Sequence, residues 1–271
     1  MPEVSIVIVN TNTKDYVRQC LQSIRENCDI DAEVIVIENG SEDGSNEMLR
    51  EFPEVKVLVN EEKRGFSENN NLGSQVSKAP LLLFLNPDTE TPSGSLRTML
   101  NVIASEPTVA VFGGKCLDAH GETERSTGCD PTLLSIAIDR LLGSLPFLRP
   151  LLQTFSQRHY YGYDRARDVD WVTGAYLWIR TEVFREIEGW DSSIFLYYDD
   201  TDLCRRARAG GYGVRYAPES TIYHYHNKTP MLTDYRKGLM RSGLHLFIKK
   251  HYGPFRRWLY PLILKLPRSA E

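Results

Sequence analysis

Residues along the first part of this chain fall into short, mostly apolar runs separated by stretches with helical spacing. Val4–Val9, Val34–Ile37, Val55–Val59 and Leu81–Leu85 are the runs. Runs that do not alternate with polar residues suit strands covered on both faces, as in a parallel sheet. Between them, Asp15–Asn27 places Val17, Cys20, Leu21 and Ile24 on one helical face. Asp43 can start a helix carrying Met48 and Leu49, and residues 67–78 read as a helix with Leu72 and Val76 turned inward. Leu96–Ala104 is the next helix and Val109–Phe112 a further strand. Strands alternating with helices over 112 residues predict an α/β fold: a Rossmann-like, mostly parallel sheet with helices on both faces and right-handed crossovers.

Beyond residue 112 the pattern loosens. Two apolar patches, Leu133–Leu142 and Leu145–Leu152, are broken by Gly143, Pro146 and Pro150. They fit a helical excursion, an acceptor lid or a membrane-touching loop equally well. Regularity returns at Trp171–Ala175, with a helix from about Thr181 to Ile187.

The polar residues that close the strands carry the chemistry. The first strand ends in Asn10 and Asn12, the second in Glu38 and Asn39, the third in Asn60, the fourth in Asn86 and Asp88. Ligands of open α/β sheets bind beyond the carboxyl ends of the strands. Amides and carboxylates at four successive ends make an edge suited to a base and a ribose. Ordinary Asn-rich turns are the plainer explanation. Pro87 fixes its own φ and keeps Asn86 extended, which gives Asp88 a defined direction. No GxGxxG follows the first strand, which argues against a standard dinucleotide site.

A second acidic cluster lies at 195–206, Phe-Leu-Tyr-Tyr-Asp-Asp-Thr-Asp-Leu-Cys-Arg-Arg. Leu203, Cys204 and Ala207 have helical spacing, so Asp199, Asp200 and Asp202 stand near a helix N-terminus, where ionised carboxylates are favoured. Capping explains one aspartate, but not three beside Phe195, Tyr197 and Tyr198. Arg205 and Arg206 pair either with phosphate or with these carboxylates. His224 and His226 alternate onto one face, and His224 could complete a carboxylate–imidazole site with Asp88 for Mg²⁺ or Mn²⁺.

Composition narrows the class. Hydrophobic content of 41% and charged content of 25% in 271 residues describe an ordinary globular chain. No run approaches a membrane span, and the N-terminus reads as a strand rather than a signal peptide. The five scattered cysteines lack CxxC spacing and read as reduced thiols of a cytoplasmic protein. Net charge is −4, but residues 228–271 hold ten Lys or Arg against two Asp or Glu. Met240, Leu244, Phe247, Ile248 and His251 share a helical face there. This basic, aromatic-rich end either lies on an anionic membrane or packs on the domain with a solvated basic face. The acidic body disfavours nucleic acid.

Taken in order, these segments resemble the family-2 inverting glycosyltransferases of the GT-A fold, in their rhamnosyltransferase-like branch. The matching pieces are Ser5–Asn10, Val34–Ser41, Gly65-Phe66 with Asn71-Leu72-Gly73, Leu83–Asp88, Val172–Ala175, Phe195–Arg205, and His224 with Thr229. The resemblance implies a GT-A domain over 1–230, with 1–112 binding the nucleotide-sugar and 113–230 the acceptor, followed by a basic helical segment at 231–271. It implies that Asp88 is the last acid of a DxD-type motif holding a divalent cation, Mg²⁺ or Mn²⁺, with Asn86 in place of the first Asp. His224 would be the later metal or diphosphate ligand. Glu38 takes the place of a base-reading Asp, and Asn10, Asn39, Ser41, Gly65, Phe66 and Asn71 would line the nucleotide pocket. Gly174 and Ala175 would border the sugars. Asp200 would be the catalytic base, with Asp199 replacing the usual Glu. The implied partners are a nucleotide-sugar donor, dTDP-L-rhamnose by the branch, and a saccharide or lipid-diphosphate-linked acceptor for cell-surface polysaccharide, at the cytoplasmic face of a membrane. Three other readings stay open: a glycosyltransferase using a UDP- or GDP-sugar, a nucleotidyltransferase, which would want a Gly-rich phosphate loop, and a degenerate domain that only binds.

Overall fold

The computed structural model describes residues 1–144, 147, 163–225 and 233–264. Most of the Leu145–Leu152 patch, His226 and Thr229 lie outside them.

The apolar runs form β1 (Val4–Asn10), β2 (Ala32–Glu38), β3 (Lys56–Val59) and β4 (Leu81–Leu85). They pair in parallel, in the spatial order β3-β2-β1-β4. The helices between them are α1 (Lys14–Asn27), the short α2 (Ser45–Met48) and α3 (Phe66–Gln75). A two-residue β5 (Thr89–Glu90), α4 (Ser95–Ser105) and β6 (Val109–Leu117) follow. Val7, Leu82, Leu83 and Phe84 are wholly buried, with successive residues serving opposite faces of the sheet. Each such side chain is worth about 1.5–3 kcal/mol over exposure, which explains why these runs contain almost no polar residue.

The inward face of α3 differs from the sequence expectation. Leu72 and Val76 are only half-buried, and Ser67, Asn69, Asn70, Gly73 and Ser74 are the buried positions. A Cβ at Gly73 would strike the Val7 side chain, so α3 rests directly on β1. Small residues permit this approach where Leu would hold the helix off.

The second half inserts strands out of sequence order. After β7 (Thr127–Gly128), α5 (Leu133–Ser144), β8 (Arg167–Asp168) and β9 (Trp171–Val172) comes β10 (Tyr176–Arg180). It runs antiparallel between β4 and β6. Its first residue, Tyr176, is therefore opposite Leu85, the last residue of β4. An antiparallel strand thus delivers its leading loop to the edge where the parallel strands end. After α6 (Thr181–Glu186) and α7 (Asp199–Ala209), β11 (Gly213–His224) runs parallel to β6. Its end pairs with β5, placing His224 opposite Thr89. The result is a nine-stranded mixed sheet, with the small β7–β9 ladder beside it.

The chain closes with α8 (Thr233–His251) and α9 (Pro254–Ile263). Leu244, Phe247, Ile248, Tyr252 and Tyr260 join Ile136 of α5 in a separate apolar cluster, against which Tyr198 packs. Part of the face expected at Met240–His251 is thus covered by protein, while Met240 stays 37% exposed. No helix among the described residues is long and apolar enough to cross a membrane.

Candidate active site

The parallel register brings Asn10 beside Glu38 at the ends of β1 and β2. Asn10 Nδ2 donates to Glu38 Oε2 at 2.5 Å and to Ser41 Oγ at 3.2 Å. Glu38 Oε1 accepts the Ser41 backbone N–H at 2.7 Å. Glu38 is nearly inaccessible, and these contacts make it the tie between two strand ends and the turn that follows. Asn39 extends the network: its Oδ1 accepts from Asn60 Nδ2 (3.0 Å) and the Arg64 N–H (2.8 Å). Asn60 also donates to Asn69 Oδ1 at 2.6 Å. Asn69 was missed in the sequence because α3 was read from its apolar residues.

Gly65 sits under the Phe195 ring, which a Cβ would meet at 3.2 Å. This contact joins the third strand's loop to the second acidic segment. Phe66 and Gly174 meet at Trp190, with the Phe66 and Trp190 rings edge to face at 5.6 Å. Asn71 has another task than lining a pocket. Its amide brackets the Trp190 backbone, donating to the carbonyl at 2.8 Å and accepting the N–H at 2.9 Å.

Asp88 and His224 come together, as β5 and β11 dictate. Asp88 Oδ1 is 3.4 Å from His224 Nε2, and Asn86 Nδ2 lies 3.3 Å from the same nitrogen. The other ring nitrogen, Nδ1, is 3.1 Å from Glu124 Oε2. Burial disfavours a charge on His224, but hydrogen bonds to Asp88 and Glu124 outweigh it and push the imidazole up to about 9. An imidazolium therefore stands between two carboxylates. Glu124 carries no local signal in the sequence. It arrives through a hairpin closed by the Asp118–Gly121 turn, where its N–H bonds to the Cys116 carbonyl at 2.9 Å.

The second cluster divides. Tyr197 and Tyr198 both adopt left-handed backbone, φ 66° and 65°, just before α7. Asp199 is then buried, and one of its oxygens lacks a hydrogen-bond partner. Burial first, and the neighbouring Asp200 charge second, hold Asp199 well above the usual carboxylate range. Asp200 is half-buried. Its Oδ2 accepts the Gly174 N–H at 3.2 Å and its Oδ1 the Thr201 N–H at 2.7 Å. Asp202 points elsewhere, to Arg206 (2.7 Å), His251 (2.6 Å) and Lys250 (2.9 Å). Arg205 pairs with Asp130 at 2.5 Å rather than with the acids beside it.

The loop leading into β10 links the two acidic clusters. The Ala175 carbonyl accepts the Asn86 N–H at 3.1 Å, and one residue earlier Gly174 donates to Asp200. The end of β4 at Asn86, two residues before Asp88, and the carboxylate of Asp200 are thus held by neighbouring residues of one segment.

Comparison with known proteins agrees with this architecture. The family model for glycosyl transferase family 2 matches residues 5–137, and that for glycosyl transferase family group 2 matches 152–268. The N-acetylglucosaminyl-diphospho-decaprenol L-rhamnosyltransferase of Mycobacterium tuberculosis is 23% identical over 81% of this chain and 75% of its own length. The rhamnosyltransferase WbbL of Escherichia coli K12 is 24% identical over 82% of this chain and 83% of its own. A mannosyltransferase of Pyrobaculum calidifontis, solved with GDP-Man and Mn²⁺, superposes with a TM-score of 0.62 at 15% identity, covering 97% of this chain and 68% of that one. With family-2 models over 5–137 and 152–268, these relatives and this superposition, the chain belongs to glycosyltransferase family 2 and has the GT-A fold.

Proposed function

We propose that this glycosyltransferase moves L-rhamnose from dTDP-L-rhamnose to a hydroxyl of a lipid-diphosphate-linked saccharide, with inversion at the anomeric carbon, in the synthesis of cell-surface polysaccharide. The observation that carries the reading is the Gly174–Ala175 segment, which binds the strand end at Asn86, two residues before the cation-type Asp88, and the base-type Asp200. The sugar and acceptor follow the two rhamnosyltransferase relatives. In this reading residues 1–112 bind the donor, with Asn39, Ser41 and Gly65 near the nucleotide.

The residues present fit a divalent cation shared with substrate. Among the described residues no three His, Cys, Asp or Glu form a closed metal cage. Asp88 and His224 would offer one carboxylate and one imidazole, the ring giving up its Nε2 proton as the cation binds while Nδ1–H stays on Glu124. A carboxylate behind a ligating imidazole is the common outer-shell arrangement. Mg²⁺ and Mn²⁺ commonly take one or two protein ligands and complete their shell with substrate phosphate and water. Bound there, the cation would neutralise charge developing on the departing diphosphate.

The chain's own residues do the rest. Asp200 accepts the proton of the acceptor hydroxyl as that oxygen attacks the anomeric carbon from the face opposite the diphosphate. The Gly174 and Thr201 N–H groups hold its carboxylate in place. Burial disfavours a charge on Asp199, so Asp200 is the better proton acceptor of the pair. One displacement inverts the centre, and no second carboxylate is needed to protonate a glycosidic oxygen.

A thermal-shift panel of dTDP-, UDP- and GDP-sugars with Mn²⁺, followed by NMR of the transfer product, tests the proposal. Stabilisation by dTDP-L-rhamnose and an inverted product support it. Preference for a UDP- or GDP-sugar removes the rhamnose assignment, and retention of configuration removes the single displacement.

A further inference from the structure

We propose that α9 is a docking surface for an anionic lipid bilayer. The helix has two unlike apolar faces. Tyr260 is buried in the cluster formed with α5 and α8, and Ile263 packs against it. Phe255, Trp258 and Leu262 point the other way, 71%, 67% and 50% exposed. At 100° per residue these three positions form one stripe on the outer side of the helix. The Phe255 and Trp258 rings stack with centroids 6.5 Å apart, which makes a continuous aromatic plate.

Charge complementarity selects the occupant. Arg256 and Arg257 are exposed, each about 100° round the helix from the nearer edge of the stripe, and no acidic residue occurs between Tyr252 and Leu264. Residues 228–271 carry eight more positive than negative side chains, on a chain that is negative overall. A helix with an apolar aromatic side, basic flanks and no acid suits the headgroup region of an anionic bilayer, where Trp rings favour the interface. Both arginines are anchored at their base, since Arg257 Nε donates to the Tyr252 carbonyl at 2.7 Å and Arg256 lies over the Tyr252 ring. Their long side chains can still reach lipid phosphates beside the stripe. The stripe exists whatever sugar the enzyme transfers, so the inference does not depend on the proposed substrate.

The test uses the full chain and vesicles of phosphatidylglycerol and phosphatidylcholine in equal parts, against vesicles of phosphatidylcholine alone. The chain should sediment with the anionic vesicles only. Trp258 should report insertion once the other three tryptophans are subtracted, since Trp178 and Trp190 are buried and Trp171 is half-buried. The wild-type minus Trp258→Phe emission should shift to the blue on anionic vesicles. Arg256→Glu/Arg257→Glu should weaken binding by about tenfold or more, from roughly fivefold per basic residue near an anionic surface. Phe255→Ser/Trp258→Ser/Leu262→Ser should abolish sedimentation while leaving the melting temperature within a few degrees, since the substituted side chains face solvent. Failure to sediment with either vesicle overturns the proposal, as does binding unchanged in the triple variant. A concentration-dependent dimer that the triple variant abolishes also overturns it, by assigning the face to a second copy.

Discussion

Asp200 and Asp202 sit two positions apart on α7 and serve different parts of the molecule. Asp200 turns to the Gly174 peptide, and Asp202 to Arg206, Lys250 and His251. The sequence shows three aspartates at a helix start, and nothing local says which one faces the cleft. The same holds at the other cluster. Asp88 is legible because a buried strand ends beside it, whereas Glu124 is brought in by a hairpin whose closure involves no conspicuous residue type. Glu124→Gln tests that late arrival. It keeps the size of the side chain but weakens its hold on His224 Nδ1. Mn²⁺-dependent donor binding should weaken by about 10–100-fold, as for other outer-shell partners, read by titration calorimetry, while the melting temperature changes little. An unchanged cation dependence would remove Glu124 and His224 from the site.

At the scale of elements, the C-terminal helix α8 turns out to brace the segment that presents Asp200. A Cβ at Gly243 would run into the Tyr197 carbonyl, so the helix touches the backbone at Leu196 and Tyr197, the latter the first of the two left-handed tyrosines. Gly243→Ala should force these apart, lowering stability by about 1–3 kcal/mol in urea titrations and turnover along with it. A fully active, equally stable Gly243→Ala would mean the contact is slack. The same junction predicts acid sensitivity. Burial would raise the Asp202 pKa, but His251, Arg206 and Lys250 overcome it and hold the carboxyl at about 2. Because the folded value lies below the unfolded one, the stabilisation is present above about pH 4 and is lost as pH falls towards 2. It amounts to roughly 2 kcal/mol, and urea midpoints compared across that window should show it shrinking, with a flatter profile in Asp202→Asn.

Across the whole molecule, β1, β2 and β4 were readable because burial leaves a mostly apolar run, whereas β3 is an edge strand with Lys56 and Val59 exposed and was legible only from its alternation with helices. The direction and place of β10 were not. Tyr176–Arg180 is as apolar as the parallel strands, and its antiparallel insertion between β4 and β6 depends on pairing that only the folded sheet defines. That insertion is what brings the two acidic clusters together. The Asn39–Asn60–Asn69 network was half legible, since two of its members end strands and the third hides on the small-residue face of α3. Glu38 and Asn71 also tie the framework together, Glu38 between two strand ends and Asn71 on the Trp190 backbone.

The central claim is a division of labour between Asp88 and Asp200. Asp88→Ala and Asp200→Asn measured side by side, for Mn²⁺-dependent donor binding by calorimetry and for single-turnover transfer, test it most directly. Asp88→Ala should lose most of its donor affinity. Asp200→Asn should bind donor as wild type does and transfer about 10²–10⁴-fold more slowly. Transfer at the wild-type rate by Asp200→Asn, or undiminished donor binding by Asp88→Ala, would contradict the account.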